Sequence, residues 1–280
     1  QQLVPLVDLQ GKFRHELGEL GGKYVKNEYY TNADEIPKRS VDVEIAIRLK
    51  EENKAFKVEK YLHSYPNCWR TDKPILYYPL DSWFIKVTEK RDLLTKLNES
   101  INWKPKSTGG GRFGNWLSNA NDWNLSRSRF WGIPLPIWRS EDSKETVVIG
   151  SVEELKTEIS KSIDLGFMKT DPFDSFQINN MEESNYDKID LHKNIVDEII
   201  LSSKNGQKMY REPDLIDVWF DSGSMPYAQW HYPFENKKMI DDNIAFPADY
   251  IAEGVDQTRG WFYTLHAISS MVFNSISYKN

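Results

Sequence analysis

The chain has 280 residues, a mass of 32.8 kDa and a net charge of −6, so roughly 150 residues per domain predicts about two domains. Apolar residues make up 39% and aromatics 13%, with 10 Trp, which excludes a disordered chain and predicts a packed interior. A single Cys excludes a disulfide framework and a multi-cysteine zinc site, and no apolar run is long enough to span a membrane.

Residues Gln1–Gln10 carry no secretion signal, and the one Cys fits a reducing compartment, so a cytoplasmic location is expected. The chain lacks an initiator Met and stops just after an apolar stretch, which suggests a piece of something longer.

Leu3–Asp8 is a short apolar run, and Gly18, Gly21 and Gly22 break regular structure after it. Ser40 is placed to cap a helix from Val41 to about Asn53, with Val41, Ile45, Ala46 and Leu49 at helical spacing. Ala55–Tyr61 alternates apolar and polar residues and predicts a strand. His63–Pro74 predicts an irregular loop; Cys68 and His63 give two ligands where structural zinc needs four, so no metal site is expected there. Ile75–Tyr78 and Ser82–Val87 predict buried strands, and a helix is expected over Arg91–Ser100.

Asn102–Gly114 holds Gly109, Gly110 and Gly111 between Lys106 and Arg112. It reads either as a flexible basic loop or as a backbone able to approach phosphates. A short helix is expected over Asn115–Asn121, then a strand around Pro134–Pro136. Between Lys86 and Arg139 ten basic residues face four acidic ones, a local +6 within a chain of −6. Such a stretch is either a footprint for a polyanion or a solvated basic face.

From Arg139 to about Asp214 the composition turns polar and acidic and predicts an inserted subdomain. Ser151 and Glu154 are spaced as a capping box at a helix start. Asp217–Tyr227 carries strand residues running into a Ser-Gly-Ser turn. Phe246–Phe262 reads as strand, tight turn and helix start, with Leu265, Ile268, Met271 and Val272 on one face of the helix. That order puts Glu253, Gly254, Asp256 and Gln257 at the carboxyl end of a strand, where open α/β sheets bind ligands. Carboxylates there suit sugar hydroxyls or an ammonium group. Trp219 and Trp261 either wall an apolar pocket or belong to the core, to which the other tryptophans are assigned.

Three runs carry a family resemblance: Asn124–Pro136 (NLSRSRFWGIPLP), Asp217–Gly223 (DVWFDSG) and Glu253–Phe262 (EGVDQTRGWF). The chain resembles the class I aminoacyl-tRNA synthetases, most closely their isoleucyl branch. The third run favours that branch over a valyl- or leucyl-type segment. The resemblance implies an α/β protein: the second part of a split Rossmann-type catalytic domain, the C-terminal end of a β-rich editing domain, and an inserted α+β connective subdomain. The implied bounds are 1–77 for the editing part, 78–139 for the returning catalytic segment, 140–213 for the insertion and 214–280 for the adenylate-binding segment.

The resemblance further implies ATP and Mg²⁺ as cofactors of a longer parent, and tRNA(Ile), isoleucine and ATP as partners of a monomer. Glu253, Gly254, Asp256 and Gln257 would contact the isoleucyl-adenylate, and Trp219 and Trp261 would line the isoleucine side-chain pocket. Lys104, Lys106, Arg112, Arg127 and Arg129 are candidate tRNA contacts. The family's His-Ile-Gly-His and Lys-Met-Ser-Lys-Ser signatures are absent from these residues, so this segment alone is expected to be inactive. The rival reading is a free-standing RNA-binding module that uses the basic stretch and its tryptophans.

Overall fold

The computed structural model describes residues 4–280, so Leu3 of the first apolar run lies outside the described residues. The chain divides into two compact units, residues 1–81 and 82–280.

The first unit is built on turns. Three 3₁₀ turns, His15–Leu20, Asn27–Tyr29 and Ala33–Glu35, precede helix α1, Val41–Glu51. The spacing of Val41, Ile45 and Leu49 forms the helix as expected, but Ser40 makes no side-chain cap. Lys23 instead reaches Glu44 of the first turn at 2.7 Å. The expected strands at 55–61 and 75–78 do not form, and a β-rich unit is not what residues 4–81 build. Among them only the isolated bridges Val7–Phe13, Lys12–Tyr24 and Asn67–Pro74 pair. The physical reason is pairing: an alternating segment is held as a strand only when a neighbour takes its N–H and C=O groups. Phe56, Tyr61 and Leu62 accordingly stand in solvent.

The second unit begins with β1, Phe84–Ile85, and then α2, Arg91–Asn98. The glycine run is not a loop. Residues 106–118 are continuously helical, with a π-turn over Thr108–Phe113 that leads into α3, Gly114–Ser118. The turn is fixed by a buried amide: Asn98 donates to the Gly109 carbonyl at 2.9 Å and accepts from the Trp103 indole at 2.7 Å. β2 (Trp123–Asn124) pairs with β1, and β3 (Ser126–Arg127) pairs with a later strand, β8, at Leu215–Ile216.

Between them lies a small antiparallel sheet in the order β5-β4-β7-β6. Its strands are β4 (Ile137–Ser140), β5 (Thr146–Val148), β6 (Leu201–Ser202) and β7 (Lys208–Arg211). Helix α4, Val152–Asp164, packs on it through Leu155 and Ile159, with Trp138, Phe173, Ile199 and Met209 in the same core. One half of the capping box forms as the spacing predicts, with Glu154 N–H donating to Ser151 Oγ at 3.1 Å, while the Glu154 carboxylate reaches one residue further back and accepts from Gly150 N–H at 2.7 Å. Short helices α5 (Glu183–Tyr186) and α6 (Lys193–Val196) complete the region.

The last segment holds α7 (Val218–Ala228), α8 (Lys237–Asp241) and α9 (Trp261–Phe273). Strand residues were expected at the start of α7, and a helix forms instead. Asp217 caps it, and Gly223 lets it lie against Thr264 and Ile268 of α9, so tertiary packing overrides local strand propensity. Before α9 no extended strand forms. Its place is taken by one parallel bridge, Ala248–Tyr278, and a 3₁₀ turn over Val255–Arg259. Ala248 N–H donates to Ser277 O at 2.9 Å, and Ile251 N–H to Asn280 O at 2.9 Å. Residues 248–251 and 277–280 therefore run parallel, with α9 as the crossover between them.

α9 is buried from Phe262 to Ser270, although Val272 of its expected apolar face is exposed. Among the described residues no helix is long and apolar enough to cross a membrane. Not all remaining tryptophans are in the core: Trp69 and Trp131 are 79% and 74% exposed. Trp131 stacks on His192, with ring centroids 4.2 Å apart, and Trp69 lies under the Arg70 guanidinium at 4.0 Å.

Candidate functional site: the turn before helix α9

The 3₁₀ turn opens at Gly254, whose carbonyl accepts from Gln257 N–H at 3.0 Å. A side chain at Gly254 would crowd Asp256, since a Cβ there would stand 2.5 Å from Asp256 Oδ1. Asp256 and Gln257 are joined, with Gln257 Nε2 donating to Asp256 Oδ2 at 3.0 Å. The other end of the same amide, Gln257 Oε1, accepts from Trp261 N–H at 3.0 Å. It thus satisfies one of the unpaired donors that every helix start leaves. Gln257 consequently ties the Asp256 carboxylate to the first turn of α9. Glu253, Gly254 and Asp256 are exposed and Gln257 is half-buried, so the carboxylate oxygens face solvent with acceptor capacity to spare.

The two tryptophans reach the same place from different helices. Trp261 donates from its indole to Ser222 O at 3.1 Å, in the first turn of α7 after Trp219. The Trp219 ring lies by Gly260: a Cβ at Gly260 would meet Gln257 Oε1 at 2.8 Å and Trp219 Cη2 at 3.5 Å. Trp261 is half-buried against Ile101, Phe262 and Leu265, while Trp219 is 42% exposed. The structure thus brings Trp219, Trp261, Gln257 and Asp256 into one neighbourhood, with an apolar wall beside a polar rim.

Asp217 sets the position of Trp219. It is 5% exposed and accepts from Trp219 N–H at 3.3 Å, from the Trp123 indole at 3.0 Å and from Arg127 at 2.7 Å. Arg127 also donates to the carbonyls of Asn124 and Ser126, so its guanidinium is bound into the fold. The five basic candidates are therefore not alike. Lys104, Lys106, Arg112 and Arg129 are exposed, but Arg112 also donates through Nε to Thr258 Oγ1 at 3.0 Å. Arg129 and Arg127 line an open cavity of about 330 Å³ with Trp131, Gly132, Val218 and Asp221. Lys106 lines another of about 460 Å³ with Asn98, Asn102 and Trp103. Much of the basic stretch is also paired internally: Lys86 with Glu89, Arg139 with Glu212, and Arg91 with Ala120 O.

Sequence reasoning missed Thr258, fully buried beneath the turn, and its tie to Arg112. The one signal present was the polar Thr next to the expected site residues. Among the described residues no group of three or more His, Cys, Asp or Glu side chains gathers as a metal ion would need. The exposed Asp256 carboxylate, with the Gln257 amide beside it, offers acceptors to hydroxyl donors. Cys68 is held in a turn where Thr71 and the Arg70 amide hydrogen-bond to it, which lowers its pKa from the usual thiol value.

The model of the class I tRNA synthetases (I, L, M and V) matches residues 26–280. The chain belongs to that family. Among individual relatives, an isoleucine–tRNA ligase of Bacteroides fragilis is 57% identical over 297 aligned residues, covering 99% of this chain and 26% of that protein. The isoleucine–tRNA ligase of Cytophaga hutchinsonii is 59% identical, covering 99% and 24%. That of Treponema denticola is 43% identical, covering 98% and 21%. The chain thus spans about a quarter of the length of the curated relatives it matches. A LeuRS of Agrobacterium radiobacter, solved with tRNA and LeuAMS, matches 74% of this chain and 23% of its own at 14% identity. The TM-score is 0.36, too slight a likeness to bear on the fold.

Proposed function

We propose that this chain is a central segment of an isoleucine–tRNA ligase and that the turn before α9, with Trp219 and Trp261, holds the isoleucyl-adenylate. The observation that carries the reading is the 57–59% identity to isoleucine–tRNA ligases over 99% of the chain. The geometry supports it. Residues 248–251 and 277–280 run parallel through one bridge with α9 as the crossover, the connectivity of a β-α-β unit, and the turn lies between the first of these segments and the helix, where Rossmann-type sheets bind nucleotides. The bounds 1–77, 78–139, 140–213 and 214–280 are part of the same reading; the separate core around Trp138 and α4 supports an insertion over 140–213.

In this reading the carboxylates of Glu253 and Asp256 accept hydrogen bonds from the hydroxyls of the adenylate ribose and from the ammonium of the amino acid. Gly254 lets the backbone approach. Trp219 and Trp261 bound the aliphatic side chain. Such a wall separates isoleucine from valine by roughly two orders of magnitude, since one methylene is all that distinguishes them. The parent protein therefore needs a separate editing step. ATP supplies the adenylyl group and tRNA(Ile) the 3′-hydroxyl acceptor. Residues 253–261 and Trp219 bind and orient the intermediate between the two steps. The parent acts in the cytoplasm as a monomer.

The test is isoleucine-dependent ATP–pyrophosphate exchange by the protein of the relatives' length that contains this segment. Exchange with isoleucine, and its loss by about 100-fold in Asp256→Ala with an unchanged thermal melt, is the expected result. Exchange that prefers leucine or valine overturns the reading, as does an unaffected Asp256→Ala. The 280-residue chain alone stays at background in the same assay.

A further inference from the structure

The turn that carries Asp256 and Gln257 is gripped from below by the helical segment at 106–118. Arg112 Nε donates to Thr258 Oγ1 at 3.0 Å. Thr258 is fully buried, and its hydroxyl proton goes to Val255 O at 2.7 Å. With its proton committed, the hydroxyl oxygen can only accept from Arg112, and it takes the Nε proton on one of its lone pairs. One residue on, the Arg259 guanidinium lies over the Trp116 ring at 5.1 Å. Both grips fall in the turn's second half, directly after Asp256 and Gln257.

The aim of Arg112 is set by the π-turn. Gly114 N–H donates to the Gly109 carbonyl five residues back, and Asn98 donates to the same oxygen at 2.9 Å. Trp103 closes over Gly109, where a Cβ would fall inside the indole. This widened turn places Arg112 on the side of the segment that faces Thr258, and such π-turns recur at functional sites. Arg112 makes no ion pair among the described residues, so the Thr258 hydroxyl is the acceptor that orients it.

We propose that Arg112 is a positioning residue for adenylate formation: through Thr258 it fixes the turn that presents Asp256 and Gln257. This rests on reading that turn as the adenylate site. A contact to a tRNA phosphate is the competing role for an exposed Arg, and the two separate cleanly because ATP–pyrophosphate exchange needs no tRNA.

The experiment uses the protein of the relatives' length and measures exchange without tRNA for Arg112→Ala, Arg112→Lys, Thr258→Val, Thr258→Ser and the pair Arg112→Ala/Thr258→Val, with thermal melts alongside. Arg112→Ala and Thr258→Val should each lower kcat for exchange about 10- to 100-fold while KM for isoleucine shifts less than about threefold. Arg112→Lys, which keeps the charge but loses the Nε donor, should behave as Arg112→Ala. Thr258→Ser, which keeps the acceptor, should stay near wild type. The double variant should be no worse than either single one, as expected when one residue acts through the other.

Multiplying losses in the double variant overturn the proposal. So does unchanged exchange in Arg112→Ala; a raised KM for tRNA when the same variant is assayed for aminoacylation then assigns Arg112 to the tRNA instead. Wild-type protein without isoleucine-dependent exchange would remove the adenylate reading itself, whereas active wild type with an unaffected Arg112→Ala removes only the positioning role.

Discussion

Gly223 of α7 lies directly against Ile268 of α9: a Cβ at Gly223 would stand 2.8 Å from Ile268 Cδ1 and 3.0 Å from Thr264 Cβ. This contact lets the two helices approach closely enough for Ser222 O to accept the Trp261 indole proton at 3.1 Å. Gly223→Ala gains about 0.5–1 kcal/mol of helix propensity, yet forces the helices apart at about 1–3 kcal/mol. Net destabilisation is expected, read as a lower denaturant midpoint. A variant as stable as wild type would show that the helices separate freely.

Asp217 tests the anchoring of Trp219 in another way. Both its oxygens are acceptors, one for Trp219 N–H and the other for the Trp123 indole and Arg127. In Asp217→Asn one of those oxygens becomes an NH₂ group facing donors, whichever way the amide is turned. The loss should be about 2–3 kcal/mol, because a buried donor is left unpaired and Arg127 loses its counter-charge. Equal urea midpoints for the two proteins would contradict it.

His266 makes stability depend on pH. Its ring is fully buried in α9, with the Phe113 ring against it at 5.6 Å and Nε2 donating to Leu94 O at 2.9 Å. A carbonyl only accepts, so the neutral ring carries its proton on Nε2. Burial lowers the pKa from 6.5 to about 4, against a smaller opposing effect of the Leu94 hydrogen bond. The unfolded chain therefore binds a proton that the folded chain refuses, and stability falls as pH drops from 6.5 to about 4. The full contribution is about 3 kcal/mol. His266→Gln keeps a donor and cannot titrate, so its urea midpoint should fall less than that of wild type between pH 7 and 4.5. Parallel curves would refute this.

Helices with a strong local signature were legible in the sequence. α1, α2 and α9 follow from apolar spacing, and α4 from its capping box, because each is specified by residues three or four apart. What was not legible depends on distant partners. The alternation at 55–61 lacks a neighbour to pair with, and Val218–Tyr227 is helical because Gly223 meets Ile268 some forty-five residues away. For the candidate site, family resemblance named Trp219, Trp261, Asp256 and Gln257, and the structure gathers them. Thr258 escaped, and Arg112 was named only as a tRNA contact, because their 3.0 Å hydrogen bond joins residues 146 positions apart.

The glycine run offers the sharpest contrast within three consecutive residues. Gly109 is buried beneath Trp103, so Gly109→Ala must displace the indole and break its 2.7 Å bond to Asn98. Gly110 and Gly111 have open space where a Cβ would stand, and both lie in helical backbone. Alanine there removes unfolded-state freedom without a clash. Gly109→Ala should cost about 1–3 kcal/mol, and Gly110→Ala should stabilise by about 0.4–1 kcal/mol, in the same denaturation assay. If all three glycines lay in a flexible loop, the three substitutions would have similar small effects. Opposite signs at adjacent positions follow only from a helix with Gly109 pressed against Trp103.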